Sequence, residues 1–466
     1  MSLPPALLHE LSEIFGPERT VTDLEQRLCY AFDATNRPVL PDVVLFPAVE
    51  TEVVKTLRLA AAEKVPVTVR GAGVGFSGGA VPARGGIVLC MTRMNRILEI
   101  DADNLVAVVE PGVVTQDLQD AVAPLGLFYP PDPASVRSST LGGNVAECAG
   151  GLSAVKYGVT KHYVLGMRFV LADGTVCEVG GKTVKNVTGY DLIGLLVGSE
   201  GTLAVMTRFT LKLLPLPETR RTLLVGFGSA GRAGEAVSAI IRSRVIPTAL
   251  EIMDRACMDR VGEFKDYRFP EGINAVLLLE IDGDPNDVDR RIRQVHEIIV
   301  AQSGNIILES RVPEERERVW DVRRAVSPAI ARLADTKINE DVSVPRSRIP
   351  ELFSEVEAIR VKYGLMIVCF GHAGDGNIHV NLMIHRHDAD EVERAERAVR
   401  ELLAATVRLG GAISGEHGIG LSKREYLSLN LSPEVIELSR AVKRAFDPAG
   451  ILNPDKIFPL EPERAG

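Results

Sequence analysis

The sequence predicts an α+β protein made of two unlike halves, and three observations carry that expectation. From Asp42 onward, short apolar strands alternate with a helix: 43–48 reads as a strand, 51–64 has helical spacing through Val53, Val54 and Leu57, and 65–71 alternates again. After the proline-punctuated stretch 213–218, strands such as 222–227 and 275–282 alternate with amphipathic helices such as 287–302. No glycine-rich nucleotide loop joins these later elements, so an antiparallel sheet is expected there.

Taken in order, residues 1–40 read as a helical lead-in that closes with Pro38 and Pro41. Beyond a glycine-rich loop, 85–91, 96–101 and 105–112 read as adjacent strands, with the turn between the last two at 101–104. A second αβ region, 140–215, contains the hairpin 167–176 on an Ala-Asp-Gly turn and ends in the strand-like run 202–217. Residues 311–466 carry charged helices, two histidine motifs and a proline-rich end. The expected division is a lead-in (1–40), a nucleotide-type domain (41–217), a substrate and catalytic domain (218–420) and a C-terminal segment (421–466).

Composition narrows the class. With 46% hydrophobic and 25% charged residues the 466-residue chain is that of an ordinary globular protein. A formal charge of −9 argues against nucleic acid as the main partner, because phosphate binding needs a basic surface. The six cysteines are scattered without a CxxC pair, which suits buried free thiols and supplies no iron–sulfur ligand set. The first sixteen residues lack the basic start and apolar core of a signal peptide, and no apolar run nears the length of a membrane helix. The expected location is the cytoplasm, peripheral to the inner membrane only through a partner.

The loop 69–81, VRGAGVGFSGGAV, lets backbone amides approach phosphate oxygens without Cβ interference, and Arg70 adds charge. Gly73, Gly75 and Gly78 match G-x-G-x-x-G, but a dinucleotide fingerprint must open a helix, and here the chain continues into a strand. The loop is expected to cradle a pyrophosphate, seconded by the Gly/Ser/Thr-rich stretch 130–151. GGKT at 180–183 is no P-loop, because the position that requires glycine is Val176.

GHAGDGNIHVN (371–381) sets His372 at the end of one strand and His379 at the start of the next, and SGEHGIG (414–420) follows with Glu416 and His417. Two imidazoles and one carboxylate make an open metal site, so His372, His379 and Glu416 are the candidate ligands and His417 the candidate proton acceptor. Zinc, manganese and iron all accept that set. Hydrogen-bonded loop histidines are the plainer alternative, and His385 and His387 in HRHDAD read as such a solvated loop. Arg323, Arg324 and Lys337 are candidates for a substrate carboxylate, arginine being suited by its planar fork. Trp320, the lone tryptophan, is expected to pack.

Together the motifs resemble a known family. PDVVLFPAVETEVV, VPVTVRGAGVGFSGGAVP, PPDP…STLGGNVAE and GLLVGSEGTLAV resemble the PCMH-type FAD-binding domain of the vanillyl-alcohol oxidase superfamily. GHAGDGNIHVN, SGEHGIG and AFDPAGILNPDKIF resemble its FAD-linked oxidase C-terminal domain, in the group of the glycolate oxidase flavoprotein subunit, D-lactate dehydrogenase and D-2-hydroxyglutarate dehydrogenase. The resemblance spans about residues 40–460 and implies a two-subdomain FAD-binding domain, an α+β catalytic domain, and a C-terminal segment returning to the flavin.

It implies that Arg70, Gly71, Ala72, Gly73, Val74, Gly75, Phe76, Ser77, Gly78 and Gly79 wrap the pyrophosphate of FAD. Pro131, Asp132, Pro133, Ala134, Ser135, Ser139, Thr140, Gly142, Gly143 and Asn144 would line the flavin and ribityl chain. Glu200, Gly201 and Val205 would hold the adenine side, and Asn453 would approach the isoalloxazine. No histidine lies in the glycine loop, so the FAD is expected to be non-covalent. The resemblance favours Arg323, with Ser327 and Lys337, for the substrate, and a divalent cation, zinc foremost, for the histidines.

The expected reaction is oxidation of a D-2-hydroxy acid, of the D-lactate, glycolate or D-2-hydroxyglutarate type, to the 2-oxo acid. The metal would polarise the hydroxyl, His417 would take its proton, and hydride would pass to flavin N5. Electrons would leave to an electron-transfer flavoprotein, an iron–sulfur subunit, a cytochrome or a quinone, and the chain is expected to form a homodimer. A metal-dependent hydrolase and a non-catalytic flavin subunit are the rival readings.

Overall fold

The computed structural model describes residues 3–460. The chain divides into two compact units, one built from residues up to Gly150, Val159–Leu216 and Glu416 onward, the other from Gly151–Gly158 and Pro217–Gly415. The division falls after Gly415 rather than at residue 420, and residues 151–158 group with the second unit rather than the first.

In the first unit, strands Val43–Leu45, Ile87–Cys90 and Val67–Arg70 run parallel, and the short strand Thr20–Val21 adds an antiparallel edge. Helix Glu50–Glu63 connects the first of these to Val67–Arg70. It buries Val53, Leu57 and Ala60, a stripe at helical spacing, and stops at Lys64, whose φ of 54° is left-handed. Leu7, Leu11 and Phe15 of the lead-in helix Pro5–Phe15 join the same core.

A five-stranded antiparallel sheet follows, in the order Ile97–Asp101, Val106–Val109, Val205–Lys212, Val164–Val170, Val176–Gly180. The expected single strand over 202–217 is shorter than read. Its ladder ends at Lys212, and Leu214–Pro215 instead pairs with Leu127–Phe128, because proline cannot donate to a continued ladder.

The second unit is built on a seven-stranded sheet in the order Asn305–Glu309, Thr219–Phe227, Ala275–Gly283, Ala249–Asp254, Met366–His372, Asn377–Ile384, Thr336–Ser343. Every pairing in it is antiparallel, as expected. Helices Arg255–Lys265, Pro313–Arg324 and Val326–Ile330 pack on the face that carries Ala249, Met253, Val276, Leu278, Val368 and Phe370. Trp320 packs in that core as expected, its Nε1 donating to Glu280 Oε2 at 2.8 Å.

All six cysteines are free thiols. Cys90, Cys257 and Cys369 are buried, whereas Cys29 is exposed and Cys148 and Cys177 are half-buried. Among the described residues no helix is long and apolar enough to cross a membrane.

Candidate functional site

The first unit contains a cleft walled by the two glycine-rich stretches. Arg70, Gly71, Ala72, Gly73, Val74, Gly75, Phe76 and Gly79 line one side, and Pro133, Ala134, Ser135, Ser139, Thr140, Gly142, Gly143 and Asn144 line the other. Two close approaches explain why glycine is needed. A Cβ at Gly71 would stand 2.2 Å from Thr140 Oγ1, and one at Gly142 would stand 2.7 Å from Pro111 Cβ. The Arg70 guanidinium is not a free charge at the mouth: Nη1 donates to the Phe32 carbonyl at 2.8 Å, the group lies over Tyr30, and burial lowers its pKa.

The remaining residues expected around the flavin divide into lining and supporting positions. Glu200 and Gly201 line the cleft, but the Val205 side chain is fully buried in its strand, and the wall there comes from Ala204 and Met206. Alternate strand residues face opposite ways, so a one-position shift turns the side chain into the core. Pro131, Asp132, Ser77, Gly78 and Asn453 do not line it. Asn453 instead donates from Nδ2 to the Gly79 and Glu200 carbonyls, tying two walls together.

Glu147, Glu416 and His417 also line the cleft, although none of them was expected around the flavin. His417 stacks on Phe76, with ring centroids 5.0 Å apart and 27° between planes. Glu147 is half-buried; its Oε1 accepts from Ser77 Oγ at 3.2 Å, and its Oε2, shut off from solvent, has no hydrogen-bond partner among the described residues. Burial raises the Glu147 carboxyl well above the usual carboxylate range, and the nearby charge of Glu200 raises it further.

In the second unit, strands Met366–His372 and Asn377–Ile384 pair so that Phe370 faces His379 and His372 faces Asn377. That register puts both imidazoles on one face as a diagonal pair, their ring centroids 5.2 Å apart. Each offers a ring nitrogen within 4.8 Å of the other's. Both side chains are buried, at 6% and 5% exposure, which suits ligands that must exclude bulk water.

Two acids that the sequence reading missed support this pair. Glu251 Oε1 lies 2.7 Å from His372 Nδ1, a contact that fixes the orientation of the ring. Asp341, fully buried, lies 3.7 Å from His379 Nδ1 and accepts from Asn377 Nδ2, Ser414 Oγ and the Gly415 backbone N–H. It thereby holds the chain up to the residue before Glu416.

The expected carboxylate anchors fall differently. Arg323 is 8% exposed, with Nε and Nη2 each 2.8 Å from Glu251 Oε2 and its guanidinium over Phe370 at 4.9 Å. Its charge is already matched inside the fold, so the residue supports His372 through Glu251. Ser327 is exposed, as are His385 and His387. Lys337 is half-buried on the edge strand, and desolvation lowers its pKa.

Residues 216–457 match the family described as FAD linked oxidases, C-terminal domain, and residues 41–180 match the FAD binding domain. The chain is 42% identical over 450 residues to glycolate oxidase subunit GlcD of Bacillus subtilis, covering 96% of each chain. It is 34% identical to D-lactate dehydrogenase of Anaerostipes hadrus, covering 97% of both. It is also 34% identical to D-2-hydroxyglutarate dehydrogenase of Stutzerimonas stutzeri, covering 97% of this chain and 99% of the relative. Among solved structures, p-cresol methylhydroxylase has the same fold, with TM-score 0.81 at 19% identity over 96% of this chain and 95% of the other.

Proposed function

Since the chain belongs to the FAD-linked oxidases and is an FAD-dependent oxidoreductase of 2-hydroxy acids, we propose that it oxidises a small D-2-hydroxy acid, of the glycolate or D-lactate type, to the 2-oxo acid. The observation that carries this reading is the placement of His417 in the wall of the glycine-lined cleft, stacked on Phe76. The cleft suits FAD, because its walls are glycine where a Cβ would intrude, at Gly71 on Thr140 of the opposite wall and at Gly142 on Pro111. The glycine loop and residues 133–144 would hold the cofactor non-covalently. Bound FAD supplies the acceptor for the hydride released as the C2–H bond breaks.

His417 takes the hydroxyl proton on Nε2, its Nδ1 being shut off from solvent. His372 and His379, with Glu251 and Asp341 behind them, would hold a divalent cation, zinc, manganese or iron. Such a cation would supply Lewis-acid chemistry. A small acid is favoured over hydroxyglutarate because Arg323, the arginine expected to anchor the substrate, is already matched by Glu251. The scattered cysteines offer no cluster ligands, so a separate acceptor, an electron-transfer flavoprotein, an iron–sulfur subunit or a quinone, receives the electrons.

The test is the visible spectrum of the purified protein, recorded anaerobically as glycolate, D-lactate and D-2-hydroxyglutarate are added in turn. Bleaching of the flavin bands by glycolate or D-lactate supports the reading, and bleaching by hydroxyglutarate alone contradicts the small-acid assignment. Gly71→Ala is expected to yield colourless protein. Its Cβ meets Thr140 Oγ1 at 2.2 Å, and relief requires moving the opposite wall. Absorbance at the flavin band relative to the protein band checks it.

A further inference from the structure

We propose that Glu200 is a positioning residue for the loop that carries His417. Glu200 is 6% exposed, and its carboxylate accepts two successive backbone N–H groups, Ile419 at 2.8 Å on Oε1 and Gly420 at 2.7 Å on Oε2. The next amide, Leu421, donates to the Ser77 carbonyl at 2.8 Å, so the loop is fastened to the glycine-rich wall that presents Phe76 to His417. Charge-assisted bonds of this kind are about twice as strong as neutral ones.

The backbone has been shaped to this contact. Glu200 itself sits at a φ of 51°, a conformation that L side chains adopt only under constraint. Gly418 has a φ of 87°, and a Cβ there would stand 2.4 Å from Glu147 Oε2 and 3.0 Å from Glu200 Oε1. The loop therefore lies directly over the two carboxyls, with the base one residue before the contact. Burial raises both acids, and the two N–H donors oppose that rise at Glu200. Ser77, Asp33 and Lys456 are the other polar groups acting on the pair.

The family resemblance implied that Glu200 holds the adenine side of FAD. The geometry instead spends both of its oxygens on the His417 loop. This inference rests on His417 being the base, and the experiment separates the two. Glu200→Gln keeps the shape but can accept well from only one amide. Amide hydrogen exchange across 416–422 in the holoenzyme is expected to quicken roughly 10-fold, as a local opening becomes easier. With glycolate and D-lactate as probes, kcat is expected to fall about 10–100-fold, the size of effect a small misplacement of a reacting group has. KM and bound flavin stay near their original values.

Unchanged exchange in the variant overturns the clamp, whatever the activity, and loss of flavin with unchanged exchange makes Glu200 a cofactor contact instead. If Glu200→Gln does not fold, exchange in the native enzyme decides: slow amides at 419 and 420 support the clamp, and rates typical of an exposed loop refute it. His417→Ala, run in parallel, tests the base alone. An active His417→Ala enzyme removes the base reading while the exchange data still judge Glu200.

Discussion

His417→Ala is expected to give a folded, flavin-containing protein whose kcat with its acid is lower by roughly 10²–10⁴-fold, the range general-base help supplies. The fold should survive, because the side chain stacks on Phe76 in the cleft wall and the loop's own anchors lie elsewhere, at Glu200 and Ser77. The hydroxyl proton then has to leave to water. The loss should therefore fall on kcat and kcat/KM together, with the flavin spectrum unchanged.

Chemical rescue gives an independent check. Added imidazole should restore part of the rate, as a small base entering the space left behind. A variant that keeps more than about a tenth of the native rate, a loss well short of what a missing base costs, would sink the assignment. The proton acceptor would then be sought elsewhere.

What could be read in the sequence was whatever lay close together in it. The strand–turn–strand pattern around GHAGDGNIHVN predicted the hairpin, and its register follows from a tight turn, so the pairing of His372 with His379 was legible. The antiparallel character of the second half was legible too, from strands and helices alternating without a nucleotide loop. Contacts between distant segments were not.

Glu251 precedes His372 by 121 residues and sits in the run ALEIMD, where it reads as one polar residue in a core strand. Nothing local marks it as the partner of both His372 and Arg323. For the same reason Arg323 read as a free anchor for substrate, since a helix rich in arginine resembles a solvated face until its buried partner is known. Glu200 is a similar case. Its motif identified it, but its carboxylate meets amides 219 and 220 residues later. Val205 shows a finer limit, where the stretch was right and the parity of one strand position decided which neighbour faces the cleft. Lys156 and Tyr157 reach Asp282, and that contact, invisible locally, accounts for residues 151–158 grouping with the second unit.

Removing the metal is the second large expected effect. Dialysis against a strong chelator is expected to lower activity at least about 10²-fold while leaving the flavin spectrum intact, and zinc or manganese should restore it. The reasoning starts from the cost of the site. Two imidazoles buried side by side, with Glu251 and Asp341 behind them, place ionisable groups where water cannot screen them, and such an arrangement is retained where a ligand repays it. Glu251 sharpens the test, because its contact is with His372 Nδ1. Changing it to glutamine removes the charge that holds the His372 ring and frees Arg323 from its partner. Loss of such a supporting carboxylate typically weakens metal affinity 10–100-fold, so Glu251→Gln should lose its metal at a correspondingly lower chelator concentration. Elemental analysis reads this without reference to turnover. If the native protein carries no metal and chelator leaves its rate unchanged, the histidines are hydrogen-bonding groups for the substrate itself, and the proton chemistry of His417 must proceed without a cation beside it.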